Sequence, residues 1–162
     1  MVLYIIPEMN FMKDRILFDT NILVYAFDTH EPDKNRKAAS LFMEVENGNI
    51  TGVISNQIIG EFFFVITSKV RHKLPDIDAY AIVNDLIYSS RWEKVNYTHN
   101  TVGRAIEMCT KVNKPFWDTL IIETAIENGV KKIYTENVKD FTGLYDIKII
   151  NPLENIYTLR QG

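Results

Sequence analysis

Arg15-Ile16-Leu17-Phe18-Asp19-Thr20-Asn21 is the stretch from which the fold is read. Arg15 to Phe18 is long enough for one short buried strand, too short for a helix, and stops at an acid. From Asn21 to Phe27 apolar residues resume at helical spacing, so a strand gives way to a helix with Asp19 at the junction. The alternation then repeats. Pro32 opens a second helix with Ala38, Ala39, Leu41, Phe42 and Val45 on one side, closed by Asn47-Gly48-Asn49. Gly52-Val53-Ile54 predicts a strand, and Ser55 is the N-cap of a helix to about Val70. A helix follows from Asp76 to Tyr88, a strand from Trp92 to Val95 and a helix from Thr98 to Val112. Asp118 starts a helix that ends at Asn128-Gly129, and Lys132–Thr135 and Ile147–Ile150 are the last strands. Short apolar strands separated by helices imply crossover connections. The expected fold is α/β, a mainly parallel central sheet flanked by helices on both faces. Such sheets bind ligands beyond the carboxyl ends of their strands, so the residues that follow each strand carry the functional reading.

The chain has 162 residues, 46% hydrophobic and 24% charged, which suits one compact domain with a real core. A net charge of −3 and a pI near 5.6 exclude a bulk basic surface. Any nucleic acid must then be held by a local patch or through metal ions. Cys109 is the only cysteine; it allows no internal disulfide, suits a reducing, cytoplasmic setting, and is expected as a small core residue. Residues 1–11 read as an extension, an extra strand or an upstream start, with the domain spanning 12–162. Their apolar run Val2-Leu3-Tyr4-Ile5-Ile6 lacks a preceding cationic region and does not read as a signal peptide. The least charged stretch, Asn47 to Ser68, is too polar for a membrane span, so a soluble protein is expected.

Three acids stand out. Asp19 ends the first strand, where helix capping alone would explain an Asp. Glu61 is the only charged residue between Glu46 and Lys69, on a helix apolar nearly all round and expected to be buried. A carboxylate there must be paired, hydrogen-bonded, protonated or bound to metal, and no Lys or Arg lies within one turn of it. Asp118 enters another apolar helix, where capping is again the bland explanation. After the strand Lys132–Thr135 come Glu136, Asn137 and Asp140, residues that also suit an ordinary turn. Two carboxylates about 4 Å apart repel by roughly 4 kcal/mol at an effective dielectric near 20. A fold that gathers three needs compensation, and oxygen-only ligands point to Mg²⁺ or Mn²⁺ rather than zinc. Lys69, Arg71, His72 and Lys73 form the densest basic run, either a solvated helix end or a guide for an RNA backbone. Phe116 and Trp117, beside Asp118, are expected in the core, with base stacking as the alternative.

Four segments, in order, resemble the PIN-domain family, and within it the VapC-type toxins of toxin–antitoxin pairs. They are Phe18-Asp19-Thr20-Asn21, Ser55 to Phe62, Asp118 to Ala125, and Tyr134 to Phe141, a likeness running from about Ile16 to Ile150. The resemblance implies a single PIN-like domain and an acidic pocket formed by Asp19, Glu61 and Asp118. It implies Mg²⁺- or Mn²⁺-dependent cleavage of RNA phosphodiester bonds. Asp19 and Asp118 would hold the metal, and Glu61 would hold it or orient the attacking water. Thr20 and Thr135 are the hydroxyls expected to fix these carboxylates. The fourth family acid falls at Asn137, so either Glu136 or Asp140 substitutes or Asn137 holds a water. The resemblance also implies a homodimer and a small antitoxin that blocks the pocket, with an arginine as one means of doing so. Two other readings stand beside it: a PIN nuclease that is not a toxin, acting in RNA processing or on DNA, and a catalytically silent PIN module that binds protein. A phosphatase-like phosphotransfer domain is disfavoured by the single Asp ending the first strand, and no Gly-rich phosphate loop is present.

Overall fold

The computed structural model describes residues 13–143 and 145–154. The extension expected over residues 1–11 lies outside them. Among these residues five strands form one all-parallel sheet: β1 (Arg15–Phe18), β2 (Thr51–Ser55), β3 (Trp92–Val95), β4 (Lys132–Tyr134) and β5 (Lys148–Ile150). Their order is β3-β2-β1-β4-β5. The connections are α1 (Thr20–Phe27) and α2 (Pro32–Glu46) after β1, α3 (Asn56–Ser68) and α4 (Asp76–Tyr88) after β2, and α5 (His99–Val112) and α6 (Phe116–Glu127) after β3. The single turn α7 (Val138–Phe141) follows β4. Among the described residues no helix is long and apolar enough to cross a membrane.

β1 lies at the centre because Ile16, Leu17 and Phe18 are fully buried and its two neighbours cover both edges. Phe18 meets Trp92 edge-on, at 5.1 Å between ring centroids, and Tyr134 at 5.4 Å. Such edge-to-face pairs add to the burial of the rings themselves. Gly52 makes room for that cluster: a Cβ there would come within 2.5 Å of the Trp92 ring. The chain steps from β1 to β2 to β3 in one direction, then returns to place β4 on the other side of β1. This reversal opens a crevice between the carboxyl ends of β1 and β4, the usual place for a ligand in an open parallel sheet.

The alternation expected from the sequence is present, with local departures. Asp118 does not start its helix; α6 begins at Phe116 behind Pro115, which places Asp118 inside the first turn. The α3 helix is buried along one side only, through Gln57, Ile58, Phe62 and Ile66, whereas Phe63 and Phe64 are exposed. Trp117 is 59% exposed and Phe116 half-buried, so neither is a core ring. Cys109 is also partly exposed: it sits on the last turns of α5, beyond the buried positions Thr101 and Ala105.

Candidate functional site

Asp19 follows β1 directly, and its N–H donates to the carbonyl of Tyr134, the last residue of β4. It is the N-cap of α1 and only 5% exposed. Its Oδ1 accepts from the Thr20 N–H at 2.7 Å. Its Oδ2 accepts from the Thr135 hydroxyl at 2.7 Å and from Asn21 Nδ2 at 2.9 Å. Thr135 Oγ1 in turn accepts from the Asn137 N–H at 3.0 Å, and Asn21 Oδ1 from the Glu136 N–H at 3.2 Å. The loop after β4 is thus folded around the Asp19 carboxylate. Burial still dominates its ionisation and pushes its pKa up to about 6, with the negative charge of Glu61 adding to the rise.

Glu61 comes from the middle of α3 and is partly buried. Oε2 accepts from the Thr20 hydroxyl at 2.8 Å and Oε1 from Gln57 Nε2 at 2.8 Å. Asp118 has no hydrogen-bond partner and no ion pair among the described residues. Burial, then the charges of Asp19, Asp140 and Glu61, push its pKa up to about 6. None of these four carboxylates forms an ion pair among the described residues. Glu123, a fully buried carboxylate on the same helix as Asp118, shows what a structural acid looks like in this fold. It pairs with Arg104 at 3.1 Å and accepts from the Tyr145 hydroxyl. Asp19, as deeply buried, has donors but no cation among the described residues.

Asp19, Glu61, Asp118 and Asn137 line one cavity of about 490 Å³, together with Tyr25, Lys69 and Arg71. Lys69 and Arg71 stand at its rim, where Arg71 Nη1 lies 3.4 Å from His30 Nε2; Lys73 is exposed and outside the lining. Glu136 faces elsewhere: its carboxylate meets the Lys34 ammonium at 2.5 Å and the Tyr25 hydroxyl at 2.7 Å. Burial raises its pKa, yet Lys34 and Tyr25 outweigh that and hold it below the usual range. Asp140, within the single turn α7, has no such partner among the described residues, and its charge adds to the rise at Asp118. Of the two acids the sequence offers in place of Asn137, Glu136 is taken up by Lys34 and Tyr25, whereas Asp140 has no ion-pair partner among the described residues and is not part of the cavity lining.

The donor set suits a hard divalent cation. It is all oxygen, carries several negative charges that form no ion pair among the described residues, and includes neither His nor Cys. Among the described residues no group of three or more such side chains is already drawn into a set able to hold a metal alone. Mg²⁺ does not require such a cage, since it keeps waters and takes one or two carboxylates plus substrate oxygens. Sequence reasoning did not single out Asn21 or Gln57 as supports. The available signal for Gln57 was its position four residues before Glu61 on one helical face.

A model of the PIN domain matches residues 16–144. Comparison with curated proteins finds no match. Among solved structures the chain is similar to Mycobacterium tuberculosis VapC20, a sarcin-ricin loop cleaving toxin, with TM-score 0.63 and 15% identity over 82% of this chain and 98% of that one. It is similar to a Klebsiella pneumoniae toxin–antitoxin complex, with TM-score 0.56 and 20% identity over 85% of this chain and 97% of that one. It is also similar to Rickettsia felis VapBC2 bound to a DNA fragment from their promoter, with TM-score 0.58 and 20% identity over 84% of this chain and 97% of that one. At these identities the likeness is one of fold.

Proposed function

Since the chain belongs to the PIN-domain family, we propose that it is a Mg²⁺- or Mn²⁺-dependent endoribonuclease and the toxin of a toxin–antitoxin pair. The observation that carries this reading is the set of carboxylates Asp19, Glu61 and Asp118 lining one cavity beside the topological switch between β1 and β4, with no ion-pair partner among the described residues. Asp19 and Asp118 would hold the ion, with Asp140 as the further acid where the family residue is replaced by Asn137. A divalent cation bound there acidifies water and offsets charge on the phosphate and on the leaving sugar oxygen.

The chain's own groups do the rest. The Thr20 N–H, Asn21 and the Thr135 hydroxyl fix both oxygens of Asp19, so the carboxylate presents one orientation to the cavity. Glu61, held by Thr20 and Gln57, keeps a fixed carboxylate for the ion or for orienting the attacking water. Lys69 and Arg71 at the rim bind backbone phosphates on one side of the scissile bond, where they steady the strand without reading its sequence. The small size, together with structural neighbours that are toxins or toxin–antitoxin assemblies, supports the toxin role. A small antitoxin fits the same chemistry, since an arginine placed among these carboxylates supplies the missing positive charge. The family reading also favours a homodimer and a cytoplasmic site of action.

The test is cleavage of an RNA panel, including tRNA and ribosomal stem-loops, with Mg²⁺ or Mn²⁺ and with chelator. Wild type is compared with Asp118→Asn. Metal-dependent cleavage lost in the variant is expected. Metal binding without cleavage of any RNA would replace this reading with a silent protein-binding module.

A further inference from the structure

Gln57, beside the site, carries a buried side-chain acceptor without a hydrogen-bond partner among the described residues. It lies in the first turn of α3 and is 9% exposed. Its Nε2 donates to Glu61 Oε1 at 2.8 Å and also to the carbonyl of Trp117, the residue before Asp118, at 3.3 Å. Its Oε1 is buried and has no partner among the described residues. The orientation of the amide is fixed by chemistry. Turned over, it would set a carbonyl oxygen against a carboxylate and a second carbonyl, neither of which can donate.

The amide carries the cost of a buried unsatisfied acceptor, which the two bonds it donates, to Glu61 and to the Trp117 carbonyl, must offset. What the amide uniquely does is join two elements. The α3 helix packs chiefly on α1 and α4 and has little direct contact with α6. Glu61 on α3 and Asp118 on α6 repel each other. The two N–H groups of Gln57 bridge this gap, one holding the Glu61 carboxylate and the other the backbone just before Asp118. The second oxygen of Glu61 is held from α1 by Thr20 at 2.8 Å, so the Gln57 bond removes its remaining freedom.

We propose that Gln57 is a positioning residue that sets the separation of the Glu61 and Asp118 carboxylates and so prepares the site for a divalent cation. The proposal rests on the metal-dependent reading above. Gln57 touches neither substrate nor ion; it acts through Glu61 and the start of α6.

The test compares wild type with Gln57→Leu, measuring Mn²⁺ binding by calorimetry, the melting temperature of metal-free protein, and kcat and KM on a cleaved RNA. The Leu variant sheds the orphan acceptor but also the donor to Glu61 and to the Trp117 carbonyl, so these two changes in stability oppose each other and its melting temperature serves to show that it folds. Its Mn²⁺ dissociation constant should rise by about 10- to 100-fold, the usual effect of removing a hydrogen-bonding support behind metal ligands. Most of that rise should vanish when Leu is introduced into a Glu61→Gln background, since the effect passes through Glu61. A stable Leu variant with wild-type Mn²⁺ affinity overturns the proposal and leaves the nuclease reading standing. Wild type that binds no Mn²⁺ overturns both. Should Leu not fold, the more adaptable Gln57→Met takes its place; loss of fold in both makes Gln57 a structural residue and overturns the proposal.

Discussion

Replacing Asp118 by Asn should stabilise the metal-free protein while abolishing its activity. Asp118 lies in the first turn of α6, half-buried and without a hydrogen-bond partner among the described residues, and its carboxyl is pushed from the ordinary 3.8 to about 6. Burial is the largest cause, followed by the charges of Asp19, Asp140 and Glu61. A displacement of that size is worth about 3 kcal/mol at 1.36 kcal/mol per tenfold change in proton affinity. Asp118 is open enough to solvent that screening reduces this to roughly 1–1.5 kcal/mol. Asn also forgoes the favourable interaction of a negative charge with the helix N-terminus, about 0.3–0.5 kcal/mol at such a position. The net expected gain is about 1 kcal/mol at pH 7.5, a rise of roughly 2–4 °C in melting temperature for a domain of this size. The pH dependence follows from linkage. The folded state holds the Asp118 proton more tightly than the unfolded chain, so the penalty is absent near pH 4, grows as pH rises, and is complete above about 6. Thermal melts in chelator at pH 7.5 and pH 4 should therefore show the Asn variant ahead at the higher pH and level at the lower. An Asn variant less stable than wild type at pH 7.5, or equally favoured at both, would refute the account of Asp118 as an uncompensated charge.

Mn²⁺ should raise the melting temperature of wild type at pH 7.5, and the rise should shrink toward pH 5, where protons compete for Asp19 and Asp118, both near 6; calorimetry at the two pH values checks this. Asp140→Asn should weaken Mn²⁺ binding and RNA cleavage by about 10-fold or more, whereas Glu136→Gln, whose side chain is engaged by Lys34 and Tyr25, should change either by less than about threefold. Equal losses in the two variants would show that the loop after β4 does not distinguish its acids. Lys69→Ala with Arg71→Ala should raise KM for single-stranded RNA with kcat little changed. The double variant should also flatten the log–log salt dependence of binding by about 0.7 for each phosphate that the two cations neutralise in wild type, as read from titrations over a range of salt concentrations. An unchanged slope would place those side chains away from the RNA path.

The sequence is legible where one force acts over short range. Ile16-Leu17-Phe18 can satisfy its burial only as a central strand, and Asp19 after it can only be a cap, a ligand or a residue placed to be both; the cap is what the backbone shows. Glu61 is conspicuous because nothing near it in sequence can neutralise it. Periodicity fails where it has no phase. The α6 helix is buried on every side from Thr119 to Ala125, so its pattern cannot reveal that it begins two residues before Asp118 or that Trp117 points to solvent. Cys109 sits at the correct helical spacing for a core position, but by the end of α5 there is little left to pack against. The single turn α7 is too short to show any period, and it is α7 that holds Asp140, whose charge helps to raise the Asp118 pKa.

The contrast between Glu123 and Asp19 explains why a carboxylate-rich pocket can persist in a protein that must also fold. Both acids are nearly inaccessible to solvent. Glu123 has Arg104 and the Tyr145 hydroxyl, so its charge is answered within the chain and it serves the fold. Asp19 has three neutral donors, which fix the direction of its carboxylate but leave its charge unanswered, and the pKa rise to about 6 measures that deficit. Had a lysine or arginine of the chain been placed against Asp19, the fold would gain stability and the cavity would lose its affinity for an external cation. Lys34 shows that the fold can deliver an ammonium to this region, yet it is engaged by Glu136, Glu31 and Tyr25 rather than by Asp19. The loop after β4 therefore does two separable things. Thr135 orients Asp19 through its hydroxyl, and Glu136 pairs with the Lys34 ammonium. On this argument Glu136, like Glu123, is answered by a cation of the chain, whereas the charge of Asp19 is left for a cation from outside it.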